Sequence, residues 1–346
     1  MTDPQQITRR SVLGAAAALG ATAGVGALPD AATAAGQDTP AVGRPGQKVA
    51  LITGTSSGFG RLTALTLARA GHRVFASMRE STRANARSAG ELRTAAHRER
   101  LSLEVVDIDV RDDRSVQSGV DQVRRRAGRI DVLVNNAGTV CPGVLETMTA
   151  ADVQRTFETN LFGHLRMNRA VLPAMRAQRD GLVVQVTTAL GRFVFPFLAT
   201  YCGAKWALEA MTEATRYEVS RFGVDVVILE PGAYSTDFVD PNGVAYYRRY
   251  LRDLSPADAR RLAEYGDLAR RAESHLVEDS TADPQEVADA VATIVDTARG
   301  QRPVRVLGPG LDGFLGELNS VAAGVQTAVL EAAGFADLAT APPPTR

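Results

Sequence analysis

The chain has 346 residues, 45% of them hydrophobic and 23% charged, which are the values of an ordinary globular protein with room for one large α/β domain and additions. Its 39 basic and 39 acidic residues cancel, which argues against a nucleic-acid or anionic-membrane binder that works through bulk electrostatics. Two cysteines, Cys141 and Cys202, give neither a disulfide framework nor a zinc-ligand spacing, so no metal is expected.

Residues 1–46 read as an export leader and linker. Thr8-Arg9-Arg10-Ser11-Val12-Leu13-Gly14 opens a stretch to Leu28 that is almost wholly Ala, Gly, Leu and Val, and small-residue sites such as Ala32-Thr33-Ala34 follow. The paired arginines make it resemble a twin-arginine signal, which implies a periplasmic or extracellular destination, or the cytoplasm if the leader does not act. The apolar span is too short and too rich in Gly and Ala for a stable membrane span.

From Gln47 onward, short apolar runs alternate with helical segments. Lys48–Thr53 is an apolar strand ending in a Gly-rich turn, Arg61–Ala70 a helix with Gly71 suited to its C-terminal cap, and Arg73–Met78 a second strand. A polar helix to about Arg100, a strand over Leu101–Val110, a helix over Asp113–Gly128 and a strand over Asp131–Asn135 follow. Next come a long helical region from about Ala151 to Arg179, a strand over Leu182–Thr187, a helix over Thr200–Phe222 and a strand over Val224–Glu230. Residues 237–281 break the rhythm and are too long for a plain connection, so a helical lid is expected there. Pro284–Arg299 resumes as a helix and Arg302–Leu307 as a seventh strand. The tail, 310–346, places Leu311, Phe314, Leu315, Leu318 and Val321 near helical spacing, for packing on the core or on a neighbouring subunit. The expected fold is α/β, a doubly wound Rossmann fold over 47–309 with a seven-stranded parallel sheet covered by helices on both faces.

Three groups of residues carry chemistry. The turn after the first strand, Gly54-Thr55-Ser56-Ser57-Gly58-Phe59-Gly60, combines glycines with a helix N-terminus. Such a turn lets backbone approach a pyrophosphate and offers it unpaired N–H groups. The second strand ends Ser77-Met78-Arg79, where an acid would bind a ribose 2′-hydroxyl and a guanidinium suits a 2′-phosphate, so NADP(H) is expected over NAD(H). Tyr201 and Lys205 lie four residues apart and so share a helix face. An ammonium there would favour phenolate and bring the phenol toward neutral acid–base work, and it could also hold the nicotinamide ribose hydroxyls. Thr188, thirteen positions before the tyrosine, can donate to the same substrate oxygen. Asn160 lies mid-helix, where its amide can interrupt the helix and hold a water that feeds Lys205. Cys202 has no neighbouring histidine in sequence to activate it and reads as a small core residue.

These motifs, in this order, resemble a classical short-chain dehydrogenase/reductase over roughly 47–309. The TGxxxGxG turn is Thr53–Gly60, the adenine-contacting pair Asp109-Val110, the NNAG segment Asn135–Gly138, the YxxxK pair Tyr201 and Lys205, and the PGxxxT segment Pro231–Thr236. The resemblance implies Asn160 as the catalytic asparagine, with Asn136 and Gly138 on the adenosine side and Pro231, Gly232 and Thr236 near the nicotinamide. The nearest subgroup is similar to NADP(H)-dependent retinol and hydroxysteroid dehydrogenases, from Val74–Glu80 and the long lid. One departure is Thr188 where the family usually has serine, whose added methyl narrows the pocket.

The expected function is an NADP(H)-dependent oxidoreductase that interconverts an alcohol with its ketone or aldehyde. Phe193, Phe195, Phe197, Tyr234, Phe238, Tyr246, Tyr247 and Tyr250, in segments flanking the site, point to a bulky apolar alcohol or ketone, the other reading being core packing of the lid. A homo-oligomer, dimer or tetramer, is expected. A second reading is a dinucleotide-binding protein that senses its cofactor without turnover, and a third an isomerase or dehydratase on the same scaffold.

Overall fold

The computed structural model describes residues 46–238, 241–268, 271, 281–308, 311 and 313–339; the leader expected over 1–46 lies, but for Gly46, outside them. Seven parallel strands form one sheet in the order β3-β2-β1-β4-β5-β6-β7: β1 Val49–Thr53, β2 Arg73–Met78, β3 Leu103–Asp107, β4 Val132–Asn135, β5 Gly181–Val186, β6 Val224–Glu230 and β7 Arg305–Leu307. Side chains alternate across the sheet, so β1 sends Ala50 and Ile52 to one core and Val49 and Leu51 to the other. The first core is closed by α1 (Gly58–Arg69), α2 (Ala86–Glu99) and α9 (Gln285–Asp296), through Leu67, Leu92 and Val291. The second is closed by α3 (Asp113–Ala127) and α5 (Gly163–Gln178), through Val120, Met167 and Met175. Covering both faces is why the strands read as continuous apolar runs. The strand order reverses between β1 and β4, and the crevice at their carboxyl ends is where such sheets take ligands.

Three expected elements differ, the seventh strand being Arg305–Leu307 rather than Arg302–Leu307. The third strand is Leu103–Asp107 rather than Leu101–Val110, because the chain beyond it turns. There Asp109 accepts from the Arg111 backbone N–H (3.0 Å) and Asp112 caps α3 by accepting from Ser115 N–H (2.6 Å). The long helix expected from Ala151 to Arg179 is two helices, α4 (Ala150–Phe157) and α5, joined by a π-helical turn over Glu158–Phe162. Asn160 sits in that turn, so the interruption expected at this residue is present. The helix α6 (Ala199–Val219) carries Tyr201 and Lys205.

The region 237–281 contains α7 (Asn242–Asp253) and α8 (Pro256–Glu264). Ser255 and Pro256 start α8 by cap and by preset φ. The Tyr250 hydroxyl pairs with Thr147 Oγ1 and accepts from Val144 N–H (3.3 Å), while Tyr265 OH donates to Glu146 Oε2 (2.6 Å). Both helices are thereby tied to the 3-10 turn Leu145–Thr147. The tail forms α10 (Phe314–Ala333) and α11 (Ala336–Ala339). Leu315 is buried, whereas Leu318, Val321 and Val325 are exposed along one side of α10. Among the described residues, no helix is long and apolar enough to cross a membrane.

Candidate active site

The Gly-rich turn forms because its backbone leaves no room for side chains. A Cβ on Gly60 would stand 2.3 Å from the Gly54 carbonyl oxygen, and Gly54, at φ +71°, would press one 2.7 Å from Ala137 Cα. Asn136 locks the two sides of the crevice, its Nδ2 donating to the carbonyls of Thr53 (2.9 Å) and Gly54 (3.2 Å). Thr53 Oγ1 returns the tie by accepting from the backbone N–H of Asn136 and Ala137, both at 3.0 Å. The N-terminus of α1 therefore opens toward a space that backbone can line closely, as a pyrophosphate requires.

Arg79 follows β2 directly and is exposed, with no hydrogen-bonded acid on its guanidinium among the described residues. The Arg111 side-chain hydrogen bond lowers the Asp109 carboxyl below its ordinary value against the effect of burial, and the Arg79 charge adds least. Arg111 grips both oxygens of Asp109, with Nε to Oδ1 at 2.9 Å and Nη2 to Oδ2 at 2.5 Å. The nearby acid Asp107 is already occupied, accepting from Ser81 N–H (2.8 Å), Ser81 Oγ (2.9 Å) and Glu80 N–H (3.1 Å).

Tyr201 and Lys205 are buried on the inner face of α6. Lys205 Nζ donates to the Val186 carbonyl at the end of β5 (2.9 Å) and lies 5.9 Å from the centroid of the Tyr201 ring. Burial brings the Lys205 pKa down to about 8, and Glu209 pushes against that fall. The expected lowering of the Tyr201 phenol by Lys205 is not what the geometry gives. Burial holds this phenol well above its ordinary value, and the Thr188 hydroxyl, a hydrogen-bond partner, draws it back in part. A lysine that already donates to a carbonyl and stands 5.9 Å from the ring centroid does not offset this desolvation.

Thr188 lies two residues past β5 and caps the 3-10 turn Ala189–Gly191, its Oγ1 accepting from Leu190 N–H (3.3 Å). Asn160 is fully buried, and its amide is spent on one residue: Oδ1 accepts from Thr139 N–H (2.8 Å) and Nδ2 donates to the Thr139 carbonyl (2.7 Å). One donor and one acceptor position of the amide thereby fix the segment after Gly138.

A single cavity of about 1080 Å³ brings these pieces together. Gly54, Ser57, Gly58, Phe59, Arg79, Asp109, Val110, Asn136 and Gly138 line it, as do Thr188, Tyr201, Lys205, Pro231, Gly232 and Thr236. Of the expected site residues only Gly60 and Asn160 stand behind the wall. The volume exceeds that of most small-molecule sites, roughly 300–1,000 Å³, and fits a dinucleotide with a second ligand. Phe193, Phe195, Leu198 and Phe238 also line it, and the Phe238 ring centroid is 5.7 Å from that of Tyr201. Both cysteines are free and buried, and burial raises both thiols, which removes Cys202 as an activated nucleophile.

Sequence reasoning missed three residues around this site: Arg111, which faces the cavity beside Asp109; His164, buried under the NNAG segment with its Nε2–H donating to the Ala137 carbonyl (2.7 Å); and Glu209. Glu209 had a signal, since it continues the four-residue spacing of Tyr201 and Lys205. His164 had none beyond its place one turn after Asn160.

Residues 48–244 match the short chain dehydrogenase family model. The chain is 33% identical over 257 residues to retinol dehydrogenase 8 of Bos taurus, covering 73% of this chain and 79% of that protein. To 3-ketodihydrosphingosine reductase of Bacteroides thetaiotaomicron it is 34% identical over 215 residues, or 60% of this chain and 74% of that one. Among solved structures, a short-chain dehydrogenase from Streptomyces avermitilis superposes with a TM-score of 0.62 at 32% identity, over 83% of this chain and 98% of that chain. A variant of actinorhodin polyketide ketoreductase solved with NADPH gives 0.62 at 27% identity, over 79% of this chain and 100% of that chain. The chain belongs to the short-chain dehydrogenase family, and it is an oxidoreductase-family protein with a nucleotide-binding Rossmann fold.

Proposed function

We propose that the chain is an NADP(H)-dependent oxidoreductase that interconverts a bulky apolar alcohol with its ketone or aldehyde. The observation that carries this is the meeting of Thr188, Tyr201 and Lys205 on the wall of the cavity that the Gly-rich turn also lines. When bound, the dinucleotide supplies or accepts the hydride. Tyr201 gives its phenolic proton to the carbonyl oxygen during reduction and takes the hydroxyl proton back during oxidation. Thr188 donates a hydrogen bond to that same oxygen, where negative charge develops. Lys205 holds the ribose hydroxyls, and Asn160 fixes the backbone beside them. The phenol, held protonated by burial, is ready as the acid of the reductive direction.

Arg79 supports NADP(H), because a guanidinium without an acid partner offers its fork to a 2′-phosphate. The ketoreductase solved with NADPH is consistent with that choice. The relatives named for retinol and for ketodihydrosphingosine favour a long apolar substrate, as do the phenylalanines of the cavity. We also propose that residues 237–281 act as a substrate lid, from Asn242, Tyr246 and Arg249 at the cavity wall. The paired arginines support export by a twin-arginine route, and Arg9→Lys with Arg10→Lys should then leave the protein in the cytoplasm.

A carbonyl panel followed by NADPH absorbance, repeated with Tyr201→Phe, tests the main reading. Turnover in the wild type, lost by at least about a hundredfold in the variant, is expected. Tight NADPH binding with no turnover would replace it with the sensor reading, and conversion without net cofactor oxidation with an isomerase or dehydratase. Arg79→Ala should weaken NADPH and leave NADH nearly unchanged; tighter NADH binding in the wild type would refute the cofactor assignment.

A further inference from the structure

The helix α6 places Tyr201, Lys205 and Glu209 at successive four-residue steps on one buried face. Nothing in the proton and hydride chemistry uses Glu209, yet its side chain is only 2% exposed. Its Oε2 accepts from Arg305 Nη1 of β7 at 2.8 Å and lies 3.9 Å from Arg192 Nε, just after the Thr188 turn. Its Oε1 makes no close hydrogen bond among the described residues, with the Thr187 side chain nearby, and points at Gly191, where a Cβ would stand 2.4 Å away. The last residue of the Thr188 turn is a glycine because this carboxylate occupies the space a side chain would need.

The surroundings of the carboxylate are mostly charged. Glu230 of β6 shares Arg305 with it, Glu213 reaches Arg305 from α6 at 3.5 Å, and Asn319 of α10 donates to Glu230 Oε2 at 2.7 Å. Arg305 is shared among Glu209, Glu230 and Glu213, Arg192 stands off at 3.9 Å, and burial together with Glu230 raises the Glu209 pKa. Lys205 meets fewer groups. His164 of α5 is near it and is held neutral, the Val186 carbonyl accepts from it, and Tyr201 and Glu209 flank it on its own helix. Among the described residues, Glu209 is the charge that acts to keep this ammonium protonated.

We propose that Glu209 is a positioning residue of the site: its carboxylate, clamped by Arg305, keeps Lys205 charged and backs the turn that carries Thr188. The inference rests on the proposed role of Lys205 at the dinucleotide ribose. Its readout is the dissociation constant of NADPH, measured by fluorescence titration from pH 6.5 to 10 on the full chain. In the wild type, binding should weaken as pH rises through the Lys205 pKa, with a break near 8. Glu209→Gln keeps the size of the side chain and its acceptor for Arg305 while removing one of the three carboxylate charges that share it, so the variant should fold. Its break should move down by about one pH unit, the size expected for a charge one helical turn away at an effective dielectric near 20.

Glu230→Gln removes the same charge from the same cluster but leaves Glu209 ionised over a wider range, so its break should not move down. Lys205→Met should show no break. An unmoved break in Glu209→Gln, or equal downward shifts in Glu209→Gln and Glu230→Gln, would overturn the inference and leave the role of Lys205 standing. A wild type with no break that binds NADPH as Lys205→Met does would overturn both, since Glu209 would then have no working charge to hold.

Discussion

Gly60→Ala is the substitution with the most definite cost. The new methyl would lie 2.3 Å from the Gly54 carbonyl oxygen and 2.5 Å from Asn136 Nδ2, and both are held in place by the turn they form. Overpacking against backbone costs about 1–3 kcal/mol, and an Asn136 amide pushed off the Thr53 and Gly54 carbonyls adds about 1–3 kcal/mol. In a domain of this size that corresponds to a fall in Tm of roughly 5–15 °C. Gly58→Ala is the internal control: its φ is +52°, but the nearest atom to its Cβ is Thr236 Cβ at 3.6 Å. Only backbone strain of about 1–2 kcal/mol applies there, so its melting point should fall by a few degrees. Thermal melts and NADPH fluorescence titrations on both variants give the two readouts. Gly60→Ala should lose affinity by more than about tenfold because the Gly54 carbonyl must move, against a smaller loss for Gly58→Ala. A Gly60→Ala protein that melts within about 2 °C of the wild type and binds NADPH equally would refute the close-approach account of this turn.

Thr188→Ser should keep turnover and admit bulkier ketones, since only a methyl leaves the wall, whereas Thr188→Ala should lower kcat by about a hundredfold through loss of a donor; steady-state rates on the substrate found in the panel decide between them. Tyr250→Phe removes the hydroxyl that ties α7 to the 3-10 turn, so proteolysis within residues 242–264 should be faster at nearly unchanged Tm. The His164 imidazole is brought from 6.5 down to about 3, first by burial and then by the Lys205 charge. The unfolded chain thus takes up a proton below about pH 6.5 that the folded chain refuses, so the stability this residue contributes is whole above pH 6.5 and is lost as pH falls toward 3. Glu209, raised by burial, has the opposite sign, and the comparison is therefore between wild type and His164→Gln. The stability of the wild type relative to that variant should drop by about 1.4 kcal/mol per pH unit below 6.5 in denaturant titrations, and parallel curves would refute it.

The order of elements was legible from residue 47 onward because each buried strand is a run of apolar side chains bounded by Gly, Asp or Asn, and each helix has one apolar face. The cofactor turn and the Tyr201–Lys205 pair were legible too, since both are local: seven consecutive residues in one case and one helical turn in the other. The end of the third strand was not, because Val106, Ile108 and Val110 continue an apolar pattern through a turn made by side-chain bonds of Asp109 and Asp112. Asn160 was legible as an interruption but not as the partner of Thr139, which is 21 residues away and reaches it only through the return of the chain from β4.

Sequence alone determined the family, the parallel sheet and which side chains are able to carry protons, because those depend on residue type and on spacing within single elements. Tertiary structure decided the state of those groups. Desolvation keeps Tyr201 protonated, brings Lys205 down to about 8 and makes Glu209 matter, and burial of that kind is set by which elements pack together. A pKa, unlike a motif, is a property of everything within a few ångströms, and Glu209 meets Arg305 across 96 residues of chain.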